Sequence, residues 1–460
     1  MNTRDTIAAI ATAPGNSGIG IIRISGNDSI LTADRIIKNR KGKKIHIIDK
    51  ASHTISYGFV FDDEKCIDEV LVSVFRSPKS YTAEDCVEIN CHGGMYVLNR
   101  ILEIVIKNGA RLAEPGEFTR RAFLNGRIDL TQSEAVMDII SSENEFSITN
   151  SINQLRGNVR NMIIDLRNDL LNECAFIEAA LDDPEHYSLD GYSKTLRKKM
   201  TGIKDRADEL IKLSKDARFL KEGIKVTIMG RPNAGKSSLL NMLLGYERAI
   251  VTKEEGTTRD VIEERISLDG IVLNLMDTAG IRNSDNEAER LGIIKTWENG
   301  EKADLILLII DSSEKINEYD KKLLEFINDR PAIILLNKND LNTVIEETEI
   351  KKYSDRDCVS ISAKNNKGLD KLKKLIRLMF YENKISDNNQ IYLTNIRQLD
   401  SFIKARDSIA LVIEAIDSGM TEDVFTVDMM NAYEELGKII GESTDDALAD
   451  KIFADFCMGK

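Results

Sequence analysis

The chain has 460 residues, 42% of them hydrophobic and 30% charged, with a formal net charge of −13 at pH 7. That length accommodates two to four domains, and no run of about 18 apolar residues occurs, which argues against a transmembrane helix. Six cysteines (66, 86, 91, 174, 358 and 457) are scattered without C-x-x-C pairing, and the opening Met1-Asn2-Thr3-Arg4-Asp5 lacks a signal-peptide pattern. The cysteine spacing argues against a zinc site, and both features point to a reducing cytoplasm. The acidic balance counts against a nucleic-acid partner held by this chain alone.

Residues 1–120 alternate β-like runs with turns. Strands are predicted at Thr6–Thr12, Ile21–Gly26, Thr54–Phe61, Glu69–Phe75 and Cys86–Cys91, and helices at Ser29–Ile37 and Gly93–Lys107. The mixture reads as a small α+β domain. The glycine-rich stretch Pro14–Gly20 has the wrong spacing for a dinucleotide fingerprint, and no helix follows it. His92 reads equally as a ligand contact and as a structural residue at a helix start. The basic runs 38–44 and Arg197-Lys198-Lys199 read as solvated surface rather than as phosphate tracks.

From 121 to 220 the turn signals thin out. Ala135, Val136, Ile139, then Ile163, Leu166, Leu170, then Ile203, Ala207, Leu210 stand at helical spacing, broken at Asp182-Asp183-Pro184-Glu185-His186. Residues 221–380 carry a different pattern, bounded by Lys221-Glu222-Gly223 and Tyr381-Glu382-Asn383. Helical spacing resumes at Leu399-Phe402-Ile403 and runs through Met429–Ile440 to the tail Phe456-Cys457-Met458-Gly459-Lys460. The expected chain is multidomain: an N-terminal α+β domain (1–120), a helical bundle in two parts (121–220 and 381–460), and an α/β domain (221–380) inserted between those parts.

The inserted segment opens on Gly230-Arg231-Pro232-Asn233-Ala234-Gly235-Lys236-Ser237, a G-x-x-x-x-G-K-S phosphate loop between a buried strand, Ile224–Met229, and a helix, Ser238–Leu244. Its backbone from Asn233 through Ser238 would cradle phosphate oxygens at a helix N-terminus, with Lys236 on the β/γ-phosphates and Ser237 on Mg²⁺. Strand Ala332–Leu336 runs into Asn337-Lys338-Asn339-Asp340. A carboxylate at Asp340 suits guanine, which offers an N1–H and a 2-amino group where adenine offers neither. Strand Val359–Ile361 leads to Ser362-Ala363-Lys364, backing for the same base. Strand Ile271–Met276 ends in Asp277-Thr278-Ala279-Gly280, where Asp277 would hold Mg²⁺ through water and the Gly280 amide would sense the γ-phosphate. Gly256-Thr257-Thr258-Arg259-Asp260 supplies a threonine switch. Together these motifs specify a GTP site at the strand ends of an open α/β sheet. Ile281 follows Gly280, where Ras-like GTPases carry the glutamine that orients the attacking water, so another residue must do this.

The motif set resembles the translation-factor-like P-loop GTPases. The N-terminal half and the F-C-M-G-K tail resemble one branch of them, the MnmE (TrmE) family of tRNA-modification GTPases, over nearly the whole chain. That resemblance implies that Glu289 orients water, and that K⁺ takes the place of an arginine finger. The ion's ligands would be Asn233 and the loop Thr252-Lys253-Glu254-Glu255-Gly256-Thr257, chiefly Thr252, Glu254 and Thr257, with Thr258 the second Mg²⁺ ligand. It implies a homodimer whose GTPase domains meet to complete the ion site.

By the same resemblance, the N-terminal domain is folate-binding. It would hold a 5-formyl- or 5,10-methylene-tetrahydrofolate through Arg23, Glu88, the terminal Lys460 and Arg127, the last standing where many members have lysine. Cys457 is a candidate for modification chemistry and equally an ordinary small apolar side chain. The partners implied are GTP, tRNA and the flavoprotein MnmG. The implied outcome is an aminomethyl-type (carboxymethylaminomethyl) group at carbon 5 of a wobble uridine. A ribosome-assembly GTPase that binds RNA shares the guanine motifs, but would carry a basic RNA module that the sequence lacks.

Overall fold

The computed structural model describes residues 5–142, 144–246, 262–268, 271–276, 297–380, 391–442, 452–454, 456 and 459. The chain divides into two compact units. The first comprises Met1–Ser141, Ser151–Asp205 and Asp400–Lys460, the second Ser142–Asn150 and Arg206–Leu399.

The first unit contains a sheet of seven strands in the order β3-β4-β5-β6-β2-β1-β7. These are β1 (Ile7–Ile10), β2 (Gly20–Ser25), β3 (Ile37–Lys38), β4 (Thr54–Asp62), β5 (Lys65–Phe75), β6 (Cys86–Cys91) and β7 (Arg111–Leu112). All neighbours are antiparallel except β1 and β7. Alternation decides which face each residue takes. Ala8, Ile22, Ile24, Val72, Val74 and Ile89 pack under helices α1 (Ser29–Ile36) and α2 (Met95–Lys107). On β1, Ile7 and Ala9 turn the other way, onto Ala113 and Phe118.

Some expected boundaries shift. Ile37 leaves the first helix and opens the edge strand β3, and β5 starts four residues before the predicted Glu69 because a tight hairpin pairs Asp62 with Lys65. Strands β3 and β7 have two residues each, too few to show any period. The loop Pro14–Gly20 runs directly into β2.

Helices α3 (Glu117–Leu124), α4 (Leu130–Ile140) and α6 (Asn158–Asp182) follow in this unit, with α12 (Glu422–Ile440) packed along α6. Three further helices carry segments of both units: α5 (Glu145–Leu155), α7 (Tyr192–Glu222) and α11 (Ile396–Asp417). Helix α4 begins with a reciprocal capping box between Asp129 and Gln132. Helix α6 buries Val159, Ile163, Leu170, Cys174 and Ile177, and it ends at Asp182, where the sequence breaks the helical run. The tail returns to this unit. Phe453 and Phe456 pack on Leu130, and a Cβ on Gly116 would lie 2.3 Å from the Phe453 carbonyl. A Cβ on Gly459 would meet the Ile10 carbonyl at 2.6 Å, so only glycine fits at either contact.

The second unit is a six-stranded sheet in the order β13-β12-β11-β8-β10-β9. The strands are β8 (Ile224–Met229), β9 (Ile262–Leu268), β10 (Ile271–Met276), β11 (Leu305–Asp311), β12 (Ala332–Asn337) and β13 (Cys358–Ser360). All pairs are parallel except the β9–β10 hairpin. Central parallel strands need apolar residues on both faces. On β11, Leu305, Leu307 and Ile309 enter one core, beside α8 (Lys236–Tyr246) and α10 (Leu369–Phe380). Ile306, Leu308 and Ile310 enter the opposite core, beside α9 (Glu318–Ile327). In the sheet β8 has β10 on one side and β11 on the other, which puts a topological switch point, where open sheets bind ligands, at the carboxyl end of β8. Among the described residues, no helix is long and apolar enough to cross a membrane.

A cluster of paired charges lies in the first unit. Arg121, only 4% exposed at its side chain, bonds Asp5 and Glu117, while Arg111 bonds the same two carboxylates. Burial pushes the Asp5 and Glu117 carboxyls up, but the hydrogen bonds from both arginines outweigh it and hold them below the usual range. Replacing Arg121 with Met should destabilise the unit by about 3 kcal/mol in chemical denaturation, because it uncovers buried negative charge. Depressed carboxyls stabilise the fold above their unfolded pKa. The difference between wild type and variant should therefore be full above about pH 5 and shrink as pH falls through the folded values. A difference that grows in acid would contradict this.

Candidate functional site

The phosphate loop spans the turn from β8 to α8. Three of its residues have positive φ: Gly230 at 154°, Asn233 at 62° and Gly235 at 107°. The glycines are required by space as well as by backbone shape. A Cβ on Gly230 would sit 2.4 Å from the Ile309 carbonyl, and one on Gly235 would sit 2.1 Å from Asn337 Nδ2. Asn233, in the left-handed conformation that asparagine tolerates, is at the loop apex. Lys236 Nζ donates to the Gly230 carbonyl at 2.7 Å and the Arg231 carbonyl at 2.9 Å, so the ammonium lies in the concavity of its own loop. Lys236, Ser237 and Ser238 form the first turn of α8, where amides and the positive end of the helix dipole favour anions. The geometry suits a polyphosphate, and Ser237 suits a hard cation that takes oxygen ligands.

The base motif stands next to this loop. Asn337 ends β12, and its side chain donates to the Ala234 carbonyl at 2.9 Å while accepting from the Ala363 amide at 3.0 Å. Lys338 follows in a left-handed conformation, φ 65°. Asp340 Oδ1 accepts from Ser362 Oγ at 2.6 Å, and that bond holds the exposed Asp340 carboxyl below its usual range. Asp340 is therefore an anionic acceptor at neutral pH, oriented by Ser362. Lys364 is exposed beside it.

The sequence reading passed over Asp311 and Arg231. Asp311 closes the apolar run of β11, and its Oδ2 lies 2.6 Å from Lys338 Nζ. Burial pushes its carboxyl up, and hydrogen bonds from Lys338 and Ser313 outweigh that, leaving it below the usual range. The available signal was a lone acid at the end of an otherwise apolar strand. The predicted positions Thr252, Lys253, Glu254, Glu255, Gly256, Thr257, Thr258, Asp277, Thr278, Ala279, Gly280 and Glu289 lie outside the described residues, as do Cys457 and Lys460.

A second constellation lies in the first unit. Arg23 on β2 stands directly opposite Glu88 on β6. Arg23 Nε and Nη2 approach Glu88 Oε1 at 3.0 and 2.9 Å, and Arg23 Nη1 donates to the Gly459 carbonyl at 3.0 Å. The Arg23 guanidinium also lies 5.1 Å from the Tyr81 ring and 5.7 Å from the Phe118 ring. The Arg127 guanidinium lies 5.0 Å from the same Tyr81 ring, and its Nη1 donates to the Tyr81 carbonyl at 2.9 Å. Tyr81 thus joins the two arginines that the sequence singled out. His92 is apart from this group. Its ring Nδ1 is 2.6 Å from Asp68 Oδ1 and its amide donates to Asp68 Oδ2 at 2.8 Å, a pairing that pushes the exposed imidazole above its usual pKa.

Two family models match the chain: "MnmE helical domain" over residues 130–457 and "GTP-binding protein TrmE N-terminus" over residues 6–127. A tRNA modification GTPase MnmE from Lachnoclostridium phytofermentans is 51% identical over 457 residues, covering 99% of each chain. One from Streptococcus thermophilus is 43% identical over 458 residues, covering 99% of this chain and 98% of its own. A solved variant of Aquifex aeolicus Era bound to GDP.AlF4- is 28% identical over 41% of this chain and 67% of its own, with a TM-score of 0.26, too low to carry weight. The glycine-built phosphate loop on a parallel sheet and the adjoining base motif define a P-loop GTPase, an enzyme that hydrolyses GTP. Over its full length this chain belongs to the MnmE (TrmE) family of tRNA-modification GTPases.

Gly235→Ala should abolish GTP binding measured by isothermal titration, because its methyl would displace the Asn337 amide. Gly245→Ala, at a position in α8 with open space around it, is the control and should leave binding unchanged. Equal binding by both variants would refute the steric account.

Proposed function

We propose that this protein is a cytoplasmic GTPase of tRNA wobble-uridine modification. With a flavoprotein partner of the MnmG type it would install a carboxymethylaminomethyl-type group at carbon 5, drawing a one-carbon unit from a tetrahydrofolate. The observation that carries the reading is the Asp340–Ser362 guanine acceptor beside the phosphate loop, in a chain whose relatives of this family match end to end. The match of residues 6–127 to the TrmE N-terminus supports it over the ribosome-assembly alternative.

In the proposed cycle, the amides of the phosphate loop and Lys236 bind the phosphates while Asp340 reads the base. Ser237 and Thr258 are the assigned Mg²⁺ ligands. Asn233, Thr252, Glu254 and Thr257 are the assigned K⁺ ligands. When bound, the two cations supply positive charge to the β–γ bridge. Glu289 orients the attacking water, a role Ile281 cannot fill. The place of Ser237 in the first turn of α8, directly after the phosphate loop, supports the Mg²⁺ assignment. The K⁺ set is completed when two GTPase domains of a homodimer meet, so hydrolysis reports on domain closure.

The folate is assigned to Arg23, Glu88, Arg127 and Lys460. A carboxylate beside a guanidinium, walled by the Tyr81 and Phe118 rings, offers the acceptor, the charge and the flat surface that a pterin needs. Cys457 is assigned to the chemistry at the base.

Two measurements test this reading. GTP turnover should be at least about tenfold faster in KCl than in NaCl at equal ionic strength, and Glu289→Ala should lower the K⁺-dependent rate by about a hundredfold. Equal rates in both salts would remove the K⁺ assignment. Separately, 5-formyltetrahydrofolate should bind wild type and lose at least about tenfold in affinity in Arg23→Met, with GTP affinity unchanged. Unaltered folate binding in that variant would remove Arg23 from the site.

A further inference from the structure

Asp311 is the last residue of β11, and its carboxylate is almost fully enclosed, 3% exposed. Oδ2 is 2.6 Å from Lys338 Nζ and 3.7 Å from Arg231 Nη2. Oδ1 accepts from the Ser313 amide at 3.0 Å and from Ser313 Oγ at 2.6 Å. Lys338 is the second residue of the base motif, and Arg231 is the second residue of the phosphate loop. One buried carboxylate is therefore shared by a cation from each half of the nucleotide site.

Two features distinguish this from an ordinary ion pair. First, Lys338 has φ 65°, a conformation that costs a non-glycine residue free energy and persists only where its surroundings over-determine it. Here Ser312 donates from both its amide and its hydroxyl to the Asn337 carbonyl, at 2.9 and 2.7 Å, and Asp311 holds the lysine ammonium. Second, Arg231 is anchored on its far side. Its Nη2 lies 2.8 Å from Glu314, and its Nη1 lies 3.8 Å from Asp320, a residue 1% exposed. The loop end of the chain of charges is thus fixed to α9 as well.

Resting on the guanine reading of Asn337–Asp340, we infer that Asp311 is a positioning residue for GTP: it ties Lys338 to Arg231 and so fixes the spacing between the base motif and the phosphate loop. Asp311 touches no atom of the nucleotide in this role. It acts on affinity, since a site already in its binding geometry loses less conformational freedom on binding. It does not act on the hydrolytic step, whose assigned groups lie elsewhere. GTP and GDP therefore feel its loss equally.

The test uses the full-length protein, Mg²⁺ and KCl. In Asp311→Asn the KM for GTP and the Kd for GDP should rise by the same factor, about tenfold or more, with kcat within about twofold of wild type. Ser313→Ala loosens the same carboxylate without removing its charge and should raise both constants about threefold. Unchanged KM and Kd in Asp311→Asn, or a fall in kcat alone, would overturn the inference. If Asp311→Asn does not fold by circular dichroism, Ser313→Ala decides, and an unchanged KM there overturns it. Asp340→Asn is run in parallel and should move preference from GTP toward xanthosine triphosphate. Absence of that move faults the guanine reading itself; its presence beside an inert Asp311→Asn faults the positioning role alone.

Discussion

The GTPase unit depends on one buried amide. Asn337 donates to the Ala234 carbonyl and accepts from the Ala363 amide, so a single side chain joins the phosphate loop after β8 to the base-backing turn after β13. A neutral amide does this because both partners are main-chain groups of opposite polarity, and asparagine is short enough to present a donor and an acceptor at once. Its burial makes each bond costly to lose. Gly235 is the counterpart of this arrangement, since a side chain there would occupy the place of the Asn337 amide. The nucleotide motifs read separately along the chain are thus mechanically one object.

The first unit is organised around a cross-strand pair of the opposite chemical kind. Arg23 and Glu88 face each other on β2 and β6, and the arginine also reaches the Gly459 carbonyl. The tail is seated there through Phe453, Phe456 and two glycine contacts that admit no side chain. A partly buried guanidinium still needs several acceptors, and here a carboxylate and a main-chain carbonyl supply them while aromatic rings lie on its flanks. This explains why residues separated by most of the chain's length collect at one place.

Much of the fold was legible. The limits of β8 and β10 follow from short, nearly continuous apolar runs set beside nucleotide motifs, and the C-terminal ends of α2 and α12 from helical spacing. Strands β3 and β7 were not legible, because two residues carry no period. The early start of β5 was hidden by the mixed stretch Lys65-Cys66-Ile67-Asp68, which is in strand because its hairpin partner fixes the register. Strand β11 was passed over although it is apolar up to its last residue, since no motif in it drew notice. With it went Asp311, whose interest lies only in what it touches.

The sequence by itself determined the chemistry of the nucleotide site: the glycines, Lys236, Asn337 and Asp340 are adjacent in the chain to the strands and helix that present them, so local spacing carries the information. It also determined the family, through motifs at both ends of the chain. The tertiary structure alone decided the pairings between distant segments. Asp311 with Lys338 and Arg231, Arg23 with Gly459, and Tyr81 with Arg23 and Arg127 depend on strand order and register, and no short stretch of sequence encodes either.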